Sequence, residues 1–547
     1  MLRMLMAALA IILIGGCGGG SGRSPPALSA APAPVTSVTI SGRVTFDKVP
    51  FGAGSDMGLD FARALAAPVR GATVEIMAGS GGTVLATGVT DAAGNYSLGV
   101  PPNTDVFVRV RAEMLRTGTP AWNFTVRDNT NFDSLYALDG SVFNSGSSAS
   151  TRNLHAASGW GGSSYTAARS AAPFAVLDAV YQALQLVLTA SPSQVFPELR
   201  MMWTPNNRPV TPTGNITAQR ASGNIGTTFY DAGTPARIYV LGDVATDTDE
   251  FDQHVLAHEW GHYYQHQFSR DDSIGGAHDT NQRLDYRVAF SEGWGNAFSG
   301  MATGDPLYRD SFTMSGALRG FTINVENNAS LIPGAFNEGA VQSVLYDFFD
   351  SANDGADTVS LGFAPIHAVM TTRMRTTPSL TTIYPFLSAL RAGNAAQASA
   401  IDALAAGQQL ASVTDDFGAN ELNSGGDPRN LPIFRSVSAG EIVPVCSVAA
   451  NGAYNRLGNR KFLRFDLAAP GMITVRANNG PAGSDPDLAL YSAGVQRGLA
   501  EGTAASAETL AVSGLAAGTY VIEVYEYSNL GSAPRGETCF DLQVTAS

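Results

Sequence analysis

Cysteine is nearly absent, with three in 547 residues and no clustering among them, so nothing in the chain points to a thiolate metal site. Positive charge is also short. Lys and Arg number 33 against 47 Asp and Glu, giving a net charge of −14, which argues against nucleic acid and against an electrostatically bound membrane surface. Beyond the first 16 residues the sequence shows no apolar run of the roughly 20 residues that span a bilayer. Histidine is scarce and uneven: of seven, five fall between His254 and His278. The length is ample for a large core and suggests about three domains.

The histidine-rich stretch contains His258-Glu259-Trp260-Gly261-His262, an HExxH pattern. Two His four residues apart on a helix project from one face, so both imidazoles can reach one Zn²⁺. Glu259 follows the first ligand and is carried round to the open side, where it can take a proton from water. Chance would produce HExxH in fewer than about one such chain in a hundred. His254, His258, His262 and His266 form one i,i+4 stripe, but only the middle pair has Glu directly after its first member. His254 and His266 are therefore read as flanking residues. A catalytic zinc takes three protein ligands and leaves a position for water. Glu292, on a second predicted helix in Ala289-Phe290-Ser291-Glu292-Gly293-Trp294-Gly295-Asn296, is the expected third ligand.

Ahead of the motif, Thr227–Tyr230 and Ala236–Leu241 read as strands joined by residues 231–235, and Asp247-Thr248-Asp249 supply N-cap chemistry to the motif helix. Strand, cap and HExxH helix, followed by Glu292, resemble the active-site half of gluzincin (thermolysin-like) peptidases, and Glu-Gly-Trp is similar to the fungalysin segment. The likeness covers about residues 226–299. It implies Zn²⁺ held by His258, His262 and Glu292, Glu259 as general base, and an edge strand that pairs with extended substrate. The family commonly has Asp four residues after the ligand Glu, accepting a hydrogen bond from a ligand His. Here Asn296 stands in that place, able to accept without supplying charge. The family's oxyanion donor is a His or Tyr, for which Tyr286, Tyr346 and His367 are the candidates. The loop Ser273–Asp279 is expected to line the cleft, with His278 touching neither metal nor substrate.

Residues 1–16 carry Arg3 and an apolar run from Leu5 to Ile14, the pattern of a signal peptide. Ile14-Gly15-Gly16-Cys17 resembles a bacterial lipobox, which implies lipidation of Cys17, anchoring to the envelope outside the cytoplasm, and no other membrane contact. The Gly/Ser/Pro/Ala-rich residues 17–37 read as a flexible tether. Cys446 and Cys539 then remain as an even pair in a compartment where a disulfide persists.

Residues 38–112 alternate like short strands, with turn chemistry at Asp91–Tyr96 and Pro101–Asn103. Their order resembles the carboxypeptidase regulatory-like β-sandwich, read here as a spacer. Within 113–428, Ala172–Leu188 and Asn337–Phe349 have the spacing of core helices, and helices are expected to continue at 383–390 and 400–410. Asp350–Asp357 clusters Asp and Asn oxygens around a Gly, a composition suited to Ca²⁺ without the offsets of an EF-hand. Residues 429–547 return to strands and resemble the pre-peptidase C-terminal β-sandwich, whose terminal strands Cys446 and Cys539 are placed to join.

The expectation is a multidomain chain in which a mostly α, α+β zincin catalytic domain lies between two small all-β sandwiches. The expected activity is zinc-dependent hydrolysis of extracytoplasmic proteins or peptides, as an endopeptidase because no amine-binding motif is evident. The rival reading is a catalytically inactive surface lipoprotein that binds or adheres. Substrate identity and oligomeric state are not legible.

Overall fold

The structure, a computed structural model, describes residues 36–327, 332–351, 357–503 and 506–547. The leader, Cys17, nearly all of the tether and most of the 350–357 run lie outside the described residues.

Strands take 34% of the chain and helices 23%, arranged among the described residues as six sheets. This corrects the expected mostly α catalytic region: the middle of the chain builds two sheets of its own. The larger has six strands, with Leu199–Trp203 parallel to both Trp122–Asp128 and Ala236–Val240. Strands flanked in this way are covered on both faces and lose the polar alternation that marks a strand in sequence. Leu199-Arg200-Met201-Met202-Trp203 has four of its five residues buried. Phe229–Asp231 pairs antiparallel with Ala236–Val240 and forms the edge of this sheet, with Tyr230 opposite Ile238. The smaller sheet has four strands and is dominated by the hairpin Leu307–Met314 with Ala317–Asn324.

The chain opens with Val38–Lys48, which pairs antiparallel with Asn95–Val100 in one sheet, while Thr73–Ala78 and Asp105–Arg111 form the centre of a second. Strands at Ala137–Asp139, Ser150–Thr151 and Leu154–Ala156 return to these two sheets, so the first β unit draws on residues well past 112. It shares one continuous hydrophobic core with the middle of the chain. The helix Ala172–Ala190 packs into that core and is, against the sequence reading, long and apolar enough to cross a membrane by composition. Its Asp178 does not face water. It is buried and accepts from Arg70 Nε at 2.7 Å and Lys48 Nζ at 3.2 Å, joining the first β unit to the helix.

The C-terminal residues form two facing sheets of five and four strands around a separate core. Cys446 and Cys539 lie opposite each other on the antiparallel strands Ile442–Ser447 and Thr538–Ala546 and are joined as a disulfide.

Candidate metal centre

Two helices cross at glycine to make the site. The HExxH helix, Gln253–Phe268, meets the helix Tyr286–Thr303 where Gly261 approaches Gly295. A Cβ at Gly261 would lie 3.3 Å from Gly295 Cα, and one at Gly295 would lie 2.7 Å from His258 Cε1. Any side chain at Gly295 would therefore occupy the place of the His258 ring. Trp294 locks the crossing by donating its Nε1–H to Gly261 O at 3.0 Å. Gly293 performs the same service on the far side, where a Cβ would lie 2.6 Å from Val341 Cγ1 of the next helix, Glu338–Asp347.

This crossing brings three ligand atoms into a triangle. His258 Nε2 and His262 Nε2 are 3.0 Å apart, and Glu292 Oε2 is 3.2 Å from the first and 3.3 Å from the second. Bonds of 2.0–2.1 Å to a tetrahedral zinc put neighbouring ligand atoms about 3.3 Å apart, so the donor set fits zinc in type and spacing. The ligands are supported from behind. His258 Nδ1 lies 2.9 Å from Asn296 Oδ1, which makes Nδ1 the donor and turns the Nε2 lone pair to the centre. His262 Nδ1 is 3.3 Å from Ser291 Oγ, which itself donates to Asp271 Oδ2 at 3.2 Å. Burial opposes ionisation of Glu292, yet His262 and His278 hold its carboxyl well below the usual range.

Glu259 sits beside the triangle. Its Oε2 accepts the backbone N–H of Tyr230 at 2.7 Å, so the edge strand grips the carboxylate. Burial, helped by Glu292, pushes Glu259 upward in pKa against the two ligand histidines. His254 and His266 are engaged elsewhere: His254 Nε2 is 3.0 Å from Asp305 O, and His266 Nδ1 is 2.9 Å from the Tyr230 hydroxyl.

A cleft of about 890 Å³ opens over the centre. Its walls are the edge strand, the 273–280 loop, and the hairpin through Tyr308, Asp310, Phe321 and Ile323. None of the expected oxyanion donors lines it. Tyr286 packs against Phe336, His367 Nδ1 takes the Tyr264 hydroxyl at 2.8 Å, and Tyr346 abuts Gly300. His278, expected to stand apart, instead places Nε2 3.2 Å from Glu292 Oε2 while its Nδ1 lies 2.7 Å from Glu338 Oε2. Burial lowers its pKa, but Glu292 and Glu338 outweigh this and raise it to about 10. Tyr308 is a second cleft residue that sequence reading missed. The available signal was Ser315-Gly316, both at positive φ, the two-residue turn of a hairpin.

The N-cap expectation also changes. The motif helix starts after Asp252, whose carboxylate accepts from Ser311 N at 2.7 Å instead of capping the helix. Asp247-Thr248 form a short strand.

Residues 199–405, under half of the chain, match the family model of the mycolysin C-terminal domain, a peptidase-associated domain, and the match takes in the HExxH helix, Glu292 and Glu338. No curated protein matches the chain. Among solved structures, the chain is similar to the pre-peptidase C-terminal domain of a Bacillus anthracis collagenase at 13% identity, covering 20% of this chain and 93% of that one, with a TM-score of 0.16. It is also similar to the Aeromonas hydrophila periplasmic lysozyme inhibitor PliG at 18% identity, covering 21% and 96%, with a TM-score of 0.15. Scores this low carry no structural argument, and the peptidase association rests on the family match.

Proposed function

We propose that this chain is a zinc-dependent endopeptidase acting on proteins or peptides outside the cytoplasm, held at the bacterial envelope by a lipid on Cys17. One observation carries the reading: two imidazole nitrogens and a carboxylate oxygen form a triangle of zinc-ligand dimensions, with the Glu259 carboxylate beside it at the floor of an open cleft. His258, His262 and Glu292 would hold the metal. Zinc in such a site supplies Lewis acidity towards a carbonyl and a water of lowered pKa.

The protein's own groups do the rest. The Tyr230 N–H fixes one oxygen of Glu259, leaving the other to take a proton from the attacking water and pass it to the leaving amine. Asn296 holds the His258 tautomer, and Ser291 with Asp271 steadies His262. His278, oriented by Glu338, aims Nε2 at the same centre and is the donor we assign to the developing oxyanion. The edge strand Phe229–Asp231 gives an extended substrate a backbone to pair with.

The test is metal content together with cleavage of casein and a broad peptide library, for the wild type and Glu259→Gln. One zinc per chain is expected in both, with cleavage reduced about 10²–10⁴-fold in the variant, the usual weight of a general base. Zinc bound without any cleavage by the wild type would turn the reading to a binding lipoprotein. Absence of zinc would overturn it.

A further inference from the structure

The cleft holds a second cluster of acids that the peptidase chemistry does not use. Asp247 and Asp249 leave the strand that precedes the motif helix, and Asp310 faces them from the hairpin strand Leu307–Met314. One carboxylate oxygen from each lies within 4.8 Å of the others. Asp249 is only 3% exposed; its Oδ2 accepts from the Thr228 hydroxyl, while Oδ1 is buried without any hydrogen-bond partner. Asp247 Oδ1 is likewise buried and unpartnered. Among the described residues no Lys, Arg or His neutralises the three, and the charged groups nearest them, Glu250 and Asp252, are also acids. Glu250 is satisfied by Arg169 at 3.0 Å and Asp252 by Ser311, so neither supplies relief.

Buried carboxylates are normally paired or coordinate a metal. We propose that Asp247, Asp249 and Asp310 form a calcium site, separate from the His258–His262–Glu292 centre, which clamps the hairpin wall of the cleft to the strand ahead of the motif helix. The ligand chemistry selects the ion. All three donors are hard oxygens with no imidazole or thiolate, which excludes a preference for zinc. Calcium takes oxygens at 2.3–2.6 Å, so two of its ligands stand at most about 5 Å apart, as these do. Its tolerance of irregular geometry suits three carboxylates from two elements, with the remaining positions open to the cleft. A missing counter-charge agrees with the acidities: burial pushes Asp247 up to about 7, and burial with repulsion from Asp247 pushes Asp310 up to about 8. The site lies outside the 350–357 run and does not depend on the chain being a peptidase.

The experiment uses the whole zinc-loaded chain in buffer stripped of calcium. Calcium is titrated by calorimetry, and terbium is titrated by luminescence sensitised through Tyr308, which lies two residues from Asp310 on the same strand. One calcium per chain and a rise in Tm are expected. Asp249→Asn and Asp310→Asn should each weaken calcium binding at least tenfold with zinc content unchanged, whereas His262→Ala should lose zinc and keep calcium. Without calcium the Asp→Asn variants should melt at or above the wild type, because a repulsive charge has gone; in millimolar calcium the order should reverse. No calcium or terbium binding by the wild type would overturn the proposal. So would unchanged calcium binding in both Asp variants. The wild-type titration decides even if neither variant folds.

Discussion

Gly295 shows how little freedom the candidate metal centre leaves at the level of single residues. The His258 ring occupies the volume that any side chain at that position would need, with ring atoms 2.7–2.9 Å from the missing Cβ. Gly295→Ala should therefore push His258 off the triangle and weaken zinc by roughly 10–100-fold, the scale seen when ligand orientation is disturbed. Competition against a chromophoric chelator measures this, and zinc affinity equal to the wild type would refute the steric argument. Asn296 illustrates a different economy. It reaches His258 Nδ1 at 2.9 Å and so orients the ring as an Asp would, but it places no negative charge behind the ligand.

At the level of elements, the helix pair and its neighbour are spaced by glycine. Gly293 lets the helix Glu338–Asp347 approach until Val341 Cγ1 and Glu338 O lie 2.6 Å and 2.9 Å from where a Cβ would stand. That approach also sets Glu338 against His278. Gly293→Ala should cost about 1–3 kcal/mol by overpacking, read as a lower denaturation midpoint. Val341→Ala should cost less in the Gly293→Ala background than alone, because it removes the Cγ1 clash, although Val341 Cβ at 2.7 Å and Glu338 O remain in contact. If the costs of the two substitutions simply add, Val341 Cγ1 does not set the spacing. The edge strand and the loop were legible as elements from turn residues and alternation at 227–241. The hairpin 307–324 offered only its Ser315-Gly316 turn, since its mostly exposed and half-buried strands give no periodic apolar face.

Across the whole molecule, the C-terminal sandwich acts as a support for the cleft. Arg287, at the start of the helix that carries Glu292, is 2% exposed and donates to Glu523 Oε1 at 3.0 Å, and Arg460 reaches the same oxygen at 2.7 Å. Burial opposes ionisation of Glu523, but the two guanidinium groups prevail and lower it to about 2. A carboxylate depressed in the folded state adds stability that is complete above its unfolded pKa. Here that stability, roughly 3 kcal/mol, should be present above about pH 4.5 and disappear as pH falls towards 2. Glu523→Gln should lose about 3–5 kcal/mol at neutral pH by stranding buried Arg460, while Arg287 keeps Asp285 at 2.9 Å, and the gap to the wild type should close on acidification. Guanidinium unfolding at several pH values would show it; a gap that did not change with pH would contradict the assignment. A second tie runs to the cleft loop, where Asn455 Nδ2 donates to Gly275 O at 2.9 Å and Ala277 O at 3.0 Å, next to His278. Asn455→Ala removes two bonds of about 1 kcal/mol each, so kcat/KM should fall on the order of tenfold with zinc content intact. Unchanged kinetics would mean that the loop is held by other contacts.

Sequence alone determined what is local. The spacing of His258, Glu259 and His262 follows from helix geometry, and Glu292 stands out as the acid in a second apolar helix. Strands with one wet face were visible at both ends of the chain. Tertiary structure decided everything that depends on which distant segments meet. It made the molecule mostly β, because strands covered on both faces carry no alternating signal. It brought His278 and Tyr308 to the cleft in place of Tyr286, Tyr346 and His367, and it set Asp310 against Asp247 and Asp249. Periodicity reports the environment of a single element. The chemistry of this cleft depends on how several of them pack.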